Sequence, residues 1–331
     1  MLTTTTTTMP SDLLRIADLA SEQLHALLDL AAQMKRDPKA WCYEHRAEVL
    51  ACYFAKPSTW TRMSFEAAAG RLGMVPVMLR PDELQLGRGE PIADTARVLS
   101  SYASAIVIRT FAQSDLQEMA DAASVPVINA LTDEHHPCQA LADLLTLRER
   151  FGELRGLKLA YVGDGNNVAH SLMEAGALTG MHVVVAAPHG HELELPITVQ
   201  AHEVAHRHGG SVQVKSDVAG AVAGADAVYT DVWVPMGEEN DKDRRGEELR
   251  GYQVDADVMS LAAPGAVFMH CLPAHRGEEV TAQVIDGPQS VAFAQAANRL
   301  PTEQAVIHAL LSNRSPGDPD AANPERPAWP F

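Results

Sequence analysis

The sequence predicts an α/β protein made of two doubly wound domains with parallel sheets, and three observations predict it. Short apolar runs alternate with amphipathic stretches along most of the chain, the pattern of repeated strand-helix units. The alternation pauses at residues 152–156, a segment bounded by two glycines, and then starts afresh. The chemically rich stretches fall just after the apolar runs, at the carboxyl ends of strands, where ligands bind in such sheets.

The elements follow in order. Leu13, Leu14, Ile16, Leu19, Leu24, Leu27 and Leu28 recur at helical spacing and predict a helix over 11–35. Residues 48–54 read as a buried strand, and a loop over 56–60 leads into a helix over 61–72. Strands at 75–79, 105–108 and 125–129 and helices at 94–102 and 138–150 complete a first series. The second has strands at 157–162, 182–187, 227–230 and 266–270, a turn at 163–167, a helix over 168–178 and a closing helix over 302–311. The stretch 238–250 is highly charged and punctuated by glycine, and reads as a mobile lid or a solvated loop. The domains are therefore expected at 11–150, joined by a C-terminal helix at 300–313, and at 151–299. Residues 1–10 and 314–331, the latter with five prolines, are expected to be disordered tails.

With 331 residues the chain suffices for two domains, and 46% hydrophobic against 21% charged residues suits a packed core. Twenty-six Lys and Arg against 43 Asp and Glu give a formal net charge of −17. That charge argues against nucleic acid or an anionic membrane as partner. An anionic ligand would need positive charge gathered locally. The four cysteines, Cys42, Cys52, Cys138 and Cys271, form no CxxC pair, which suits reduced thiols in the cytoplasm. The threonine run near the N-terminus is not a secretory signal, and no apolar run is long enough to span a membrane.

Six stretches carry chemistry. Lys56-Pro57-Ser58-Thr59-Trp60-Thr61-Arg62 offers hydroxyls and a helix start, which suits a phosphate or simply a Ser/Thr cap. Arg109 closes a strand and can chelate an oxyanion or form an ordinary ion pair. His135-His136-Pro137-Cys138-Gln139 can donate to a carbonyl oxygen; metal binding and a Cys-His nucleophile are competing readings. Gly163-Asp164-Gly165-Asn166-Asn167 is like a dinucleotide loop, but it lacks the third glycine and the following strand ends without an acid. That weakens an NAD-dependent reading and leaves the amides for an amino acid. Asp231, before Val232-Trp233-Val234-Pro235-Met236-Gly237, can bind an ammonium. His270-Cys271-Leu272-Pro273 can accept hydrogen bonds from an amine through a thiol and a carbonyl, with Leu272 held extended before proline.

In order and content these blocks, together with Gln85-Leu86-Gly87-Arg88-Gly89-Glu90 and the 94–100 stretch, resemble the ornithine carbamoyltransferases over about residues 11 to 312. The resemblance implies a carbamoyl-phosphate domain followed by an amine domain, a homotrimer with shared active sites, and no metal or organic cofactor. By the same carry-over, Ser58, Thr59, Trp60 and Thr61 line the phosphate site, Gln85 reaches in from a neighbouring subunit, and Arg109, His136, Gln139 and Arg299 hold the carbamoyl group. Asn167, Asp231, Pro235 and Met236 bind the acceptor, while Cys271 and the Leu272 carbonyl receive its amine. The roles taken as catalytic fall to Arg109, His136, Asp231 and Cys271.

Two departures stand out. Trp60 occupies the middle position of a loop that usually reads Ser-Thr-Arg-Thr-Arg, which removes a charge-assisted phosphate contact of about 1.5–3 kcal/mol. Lys56 and Arg88 are candidate replacements for that charge. Pro235 stands where the acceptor loop usually has serine, and lacks both the hydroxyl and a backbone N–H. The expected activity is transfer of a carbamoyl group from carbamoyl phosphate to an amine, ornithine first. A specialised transferase with another acceptor or donor and a catalytically silent ligand-binding relative are the alternatives.

Overall fold

The computed structural model describes residues 8–42, 44–82, 89–234 and 241–313. These fall into two compact units, drawn from Met1–Cys138 with Arg299–Phe331 and from Gln139–Asn298. Gln85, Pro235 and Met236 lie outside the described residues.

The first unit is built on a four-stranded parallel sheet: β1 (Val49–Phe54), β2 (Val75–Leu79), β3 (Ala105–Arg109) and β4 (Val127–Leu131), in the order β2-β1-β3-β4. Its helices are α1 (Ser21–Arg36), α2 (Thr59–Leu72), α3 (Ile92–Tyr102) and α4 (Gln113–Ala122). β3 is buried at every position, the mark of a parallel strand covered on both faces. One face packs Ile106, Ile108 and Val127 against Ala96 of α3 and Leu116, Met119 and Ala120 of α4. The helix α5 (Pro137–Phe151) carries the chain across the division.

The second unit holds a five-stranded parallel sheet in the order β7-β6-β5-β8-β9: β5 (Lys158–Val162), β6 (His182–Ala186), β7 (Ser211–Lys215), β8 (Ala227–Thr230) and β9 (Val267–His270). Helices α6 (Asn167–Thr179), α7 (Leu195–His208), α8 (Val218–Val222), α9 (Lys242–Leu249), α10 (Ala256–Ser260) and α11 (Ala282–Ile285) accompany it. The helix α12 (Ala292–Ser312) leads back into the first unit. Ala160, Val184, Val228 and Phe268 form a core with Ala221, Val222, Val254 and Ile285.

Strand order fixes where the sites lie. In the first sheet the order reverses between β1 and β3, and in the second between β5 and β8. Carboxyl ends that flank such a reversal leave a crevice where ligands bind. Residues 55–61 follow β1 and Arg109 closes β3; 163–167 follow β5 and Asp231 follows β8.

Three expectations need correction. The helix read over 11–35 begins only at Ser21. Upstream, Leu13 pairs as a single bridge with Ile128, its N–H donating to Val127 (3.0 Å) and its carbonyl accepting from Asn129 (2.8 Å). Leu13 is buried by that pairing and Leu14 by packing in the first unit's core, so their spacing only imitated a helix. The closing helix starts at Ala292 rather than at 302, and Pro301 sits inside it. The charged stretch read as a loop holds α9 over Lys242–Leu249.

Candidate active site

In the first unit, Ser58 is the N-cap of α2 and its hydroxyl accepts from the Thr61 N–H at 3.3 Å. The cap reading of this segment is therefore correct, and it leaves the helix start facing the reversal point with Thr59 exposed and Thr61 buried. A register shift between Ile108 and Arg109 re-aims the end of β3, and Arg109 is nearly buried at 8% exposure. His136 precedes α5, in a turn closed by the Thr132 hydroxyl accepting from the His135 N–H at 3.1 Å. Arg299, on α12, donates to the Thr61 hydroxyl at 3.3 Å and to Glu303 at 2.6 and 3.0 Å.

These groups act on one another. Burial, then the charges of Arg299 and Arg109, hold the His136 imidazole well below its ordinary pKa. His136 is therefore a neutral ring, able to donate one N–H without adding charge. Two guanidiniums, a neutral imidazole and a hydroxyl gather in one unit, an arrangement able to stabilise an oxyanion on a carbonyl carbon.

Gln139 opens the other unit's share of α5 and spends its amide N–H2 on Asp143 at 2.7 Å. Cys138 is fully buried and donates to the Asn129 carbonyl at 3.4 Å, and burial pushes its pKa far up. An inert thiol of this kind corrects the Cys-His nucleophile reading. Lys56 is paired with Asp133 and lies 4.4 Å over the Phe111 ring, so it is committed elsewhere than to Trp60. The Trp60 side chain is 58% exposed at the start of α2.

In the second unit the reversal point is wired by hydrogen bonds. Asn166, N-cap of α6, accepts from Val168 and Ala169 and donates to Asp231 at 2.8 Å. Asp231 also accepts from the Cys271 thiol at 2.9 Å and from the Val232 N–H at 2.8 Å. The loop lies so close to the following chain that a Cβ at Gly165 would sit 2.5 Å from the His191 carbonyl oxygen. Behind it, Asp164 pairs with Arg245 and, at 2.7 Å, with His191, while Arg245 holds the Trp233 carbonyl at 2.6 Å. Leu272 is not extended as proposed from its proline neighbour: its φ is 60° and the Leu272-Pro273 bond is cis.

Residues 11–149 match the carbamoyl-P binding domain of aspartate/ornithine carbamoyltransferases, and residues 155–310 match their Asp/Orn binding domain. The chain belongs to the aspartate/ornithine carbamoyltransferase family. An ornithine carbamoyltransferase from Symbiobacterium thermophilum is 52% identical over 309 residues, covering 93% of this chain and 100% of that protein. One from Acidothermus cellulolyticus is 52% identical over 294 residues, 89% of this chain and 94% of that one. Among solved structures, the ornithine carbamoyltransferase from Pyrococcus furiosus superposes with a TM-score of 0.90 at 46% identity, covering 93% of this chain and 100% of that chain. The family resemblance and the two-domain parallel α/β fold read in the sequence are thus established.

For a carbamoyltransferase the second unit offers two groups with metal-ligand spacing among the described residues: Asp231 with His270 and Cys271, and His275 with Glu278 and Glu279. Neither contains His135 or His136. Both His270 nitrogens are already engaged, with the Leu272 N–H at 2.9 Å and with Glu279 at 3.3 Å. Sequence reasoning offered the Asn166 amide to an amino acid and missed its cap role, although an amide at a strand-turn-helix junction is a cap signal. It also passed over Asp164 and Arg245, whose pairing spans too much sequence for spacing to reveal, and over Glu303, whose i,i+4 relation to Arg299 was legible but whose burial was not.

Proposed function

We propose that this carbamoyltransferase acts on ornithine, giving citrulline and phosphate. The observation that carries the reading is the gathering of Arg109, Arg299 and neutral His136 at the first sheet's reversal point in a chain of net charge −17. In this reading Ser58, Thr59 and Thr61, with the start of α2, take the phosphate, and Trp60 contributes its single N–H. Arg109, His136, Gln139 and Arg299 take the carbamoyl group. Asp231 takes the acceptor's ammonium, Asn167 its carboxylate, and Cys271 with the Leu272 carbonyl the attacking amine. Gln85, Pro235 and Met236 keep the roles assigned from the sequence.

The chemistry is a substitution at the carbamoyl carbon. The lone pair of a neutral amine forms the C–N bond, and a tetrahedral oxyanion develops opposite Arg109, His136 and the Thr61 hydroxyl. The C–O bond to phosphate then breaks, and phosphate leaves with the electron pair and accepts the amine's proton. A homotrimer in the cytoplasm belongs to the same reading. Exposed Trp60, Met63, Val75 and Val77, on α2 and on the edge strand β2, support it, since they leave apolar surface for a second copy to cover. A transferase with a different amine is the second reading, favoured by Trp60 and Pro235.

The test is a single-turnover assay with labelled carbamoyl phosphate and ornithine, N-acylated ornithines, lysine, putrescine and shorter diamino acids. Citrulline as the main product is expected. Turnover with another amine alone replaces ornithine as the acceptor. No turnover and no donor binding sinks the carbamoyl phosphate assignment.

A further inference from the structure

Glu303 is a charged group that the mechanism above does not use. Its side chain is fully buried on α12, one turn beyond Arg299, and one carboxylate oxygen accepts from both Nε (3.0 Å) and Nη2 (2.6 Å) of that guanidinium. The same Nη2 donates to Thr61 at the start of α2. Glu303 thus grips a cation of the donor site from behind. Other groups face the pair from each neighbouring element. Cys52 on β1 and Cys138 on α5 both feel the Glu303 charge, the Ser64 hydroxyl approaches from α2, and His136 and Arg109 lie on the Arg299 side.

Charge balance makes this arrangement consequential. Arg109 and Arg299 carry two positive charges, and His136 is neutral. A dianionic donor, its phosphate at the start of α2 and its carbamoyl oxygen at the guanidiniums, brings two negative charges that balance both of them, so an ionised Glu303 leaves one buried negative charge uncompensated, and such a charge is strongly disfavoured. Taking up a proton removes it at little cost, because burial, opposed by Arg299 and Ser64, has already pushed the Glu303 pKa up to about 7.

We propose that Glu303 is a positioning residue of the donor site: its carboxylate holds Arg299 while the site is empty, and it takes one proton from solvent when a phosphate dianion arrives and claims the guanidinium. The inference rests on the donor reading of Arg299 given above and adds to it a proton coupled to binding.

Linkage gives the sign. A group whose proton affinity rises on binding makes binding weaken as pH climbs past its free value, by up to about tenfold per pH unit. Sulfate is a suitable probe, since it stays a dianion throughout the working range and any pH dependence belongs to the protein. Calorimetric titration of the whole protein with sulfate between pH 6 and 9, in two buffers of different ionisation enthalpy, is expected to show affinity falling above neutral pH. About one proton should be taken up per site at pH 8. In Glu303→Gln, which keeps the side chain's size and removes its charge, uptake should vanish, the profile should flatten, and binding at pH 8 should tighten several-fold or more. Absence of uptake in the unmodified protein overturns the proposal whether or not the variant folds, as does an unchanged profile in a folded variant or the absence of sulfate binding. Carbamoyl phosphate run alongside separates the two claims. If sulfate binds with proton uptake and carbamoyl phosphate binds at no pH, the coupling stands and the donor assignment falls.

Discussion

The two units prepare for their ligands in different ways. In the first, charge does the preparing: Arg109, Arg299 and a neutral His136 are nearly buried and act on one another through their fields. In the second, hydrogen bonds do it, with Asp231 already held by Asn166, Cys271 and its own neighbour's N–H. Buried charge offers strength toward a dianion but depends on pH. A hydrogen-bonded carboxylate offers a fixed direction toward an ammonium. In the proposed reading, electrostatic and geometric preorganisation stand side by side in one chain, each suited to its substrate.

The largest expected break of this comparison is in the second unit's framework. Asp164→Ala strips the buried Arg245 of its carboxylate and should cost about 3–5 kcal/mol in denaturant unfolding. A loss near zero would mean that the Asp164 pairing holds nothing in place. Next comes the first unit's charge. Arg109→Met should lower kcat/KM for carbamoyl transfer by about 10²–10³-fold, the usual result of removing an oxyanion donor, with the acceptor's KM little changed. The reciprocal experiment is Asp231→Asn, where a charge-assisted contact of about 1.5–3 kcal/mol is lost. Steady-state kinetics should then show a higher KM for the amine and the same KM for the donor, and a shift in donor KM alone would contradict the division of labour. The smallest effect concerns pH. His136 has a depressed pKa in the folded chain, so below about 6.5 the unfolded chain binds a proton that the folded one refuses. Stability carried by this residue is present above that value and declines as pH falls, by up to about 1.4 kcal/mol per unit. His136→Gln should flatten that acid limb in thermal melts.

The fold was legible because parallel strands buried on both faces write apolar runs that need no context, as in 105–108 and 182–187. The candidate positions were legible because ligands in such sheets bind where those runs stop. Local spacing misled at Leu13 to Leu19, where a single bridge from Leu13 to β4 and a short 3-10 turn at Ile16–Asp18 bury residues that a helical period would also bury. It also said nothing of α9, whose charged sequence looks like any solvated loop. Arg109 and His136 were singled out from their own chemistry and Arg299 from the resemblance, but their mutual influence rests on separations of many residues that only the folded chain closes. Trp60 remains the plainest case of the reverse: the sequence marks it as a departure, its side chain is exposed, and nothing among the described residues explains the choice.

A final consequence follows from the path of the chain. The first unit is begun at the N-terminus and finished only by α12, after the whole second unit has been laid down. During synthesis from the N-terminus, the proposed acceptor residues Asn167, Asp231 and Cys271 all emerge before Arg299 and Glu303 do. In the proposed reading, a chain that stops after residue 272 and before residue 299 therefore carries those acceptor side chains and an unfinished donor pocket. In the proposed reading such a fragment lacks the Arg299 guanidinium, and loss of the last helix is expected to silence the enzyme at the donor step first.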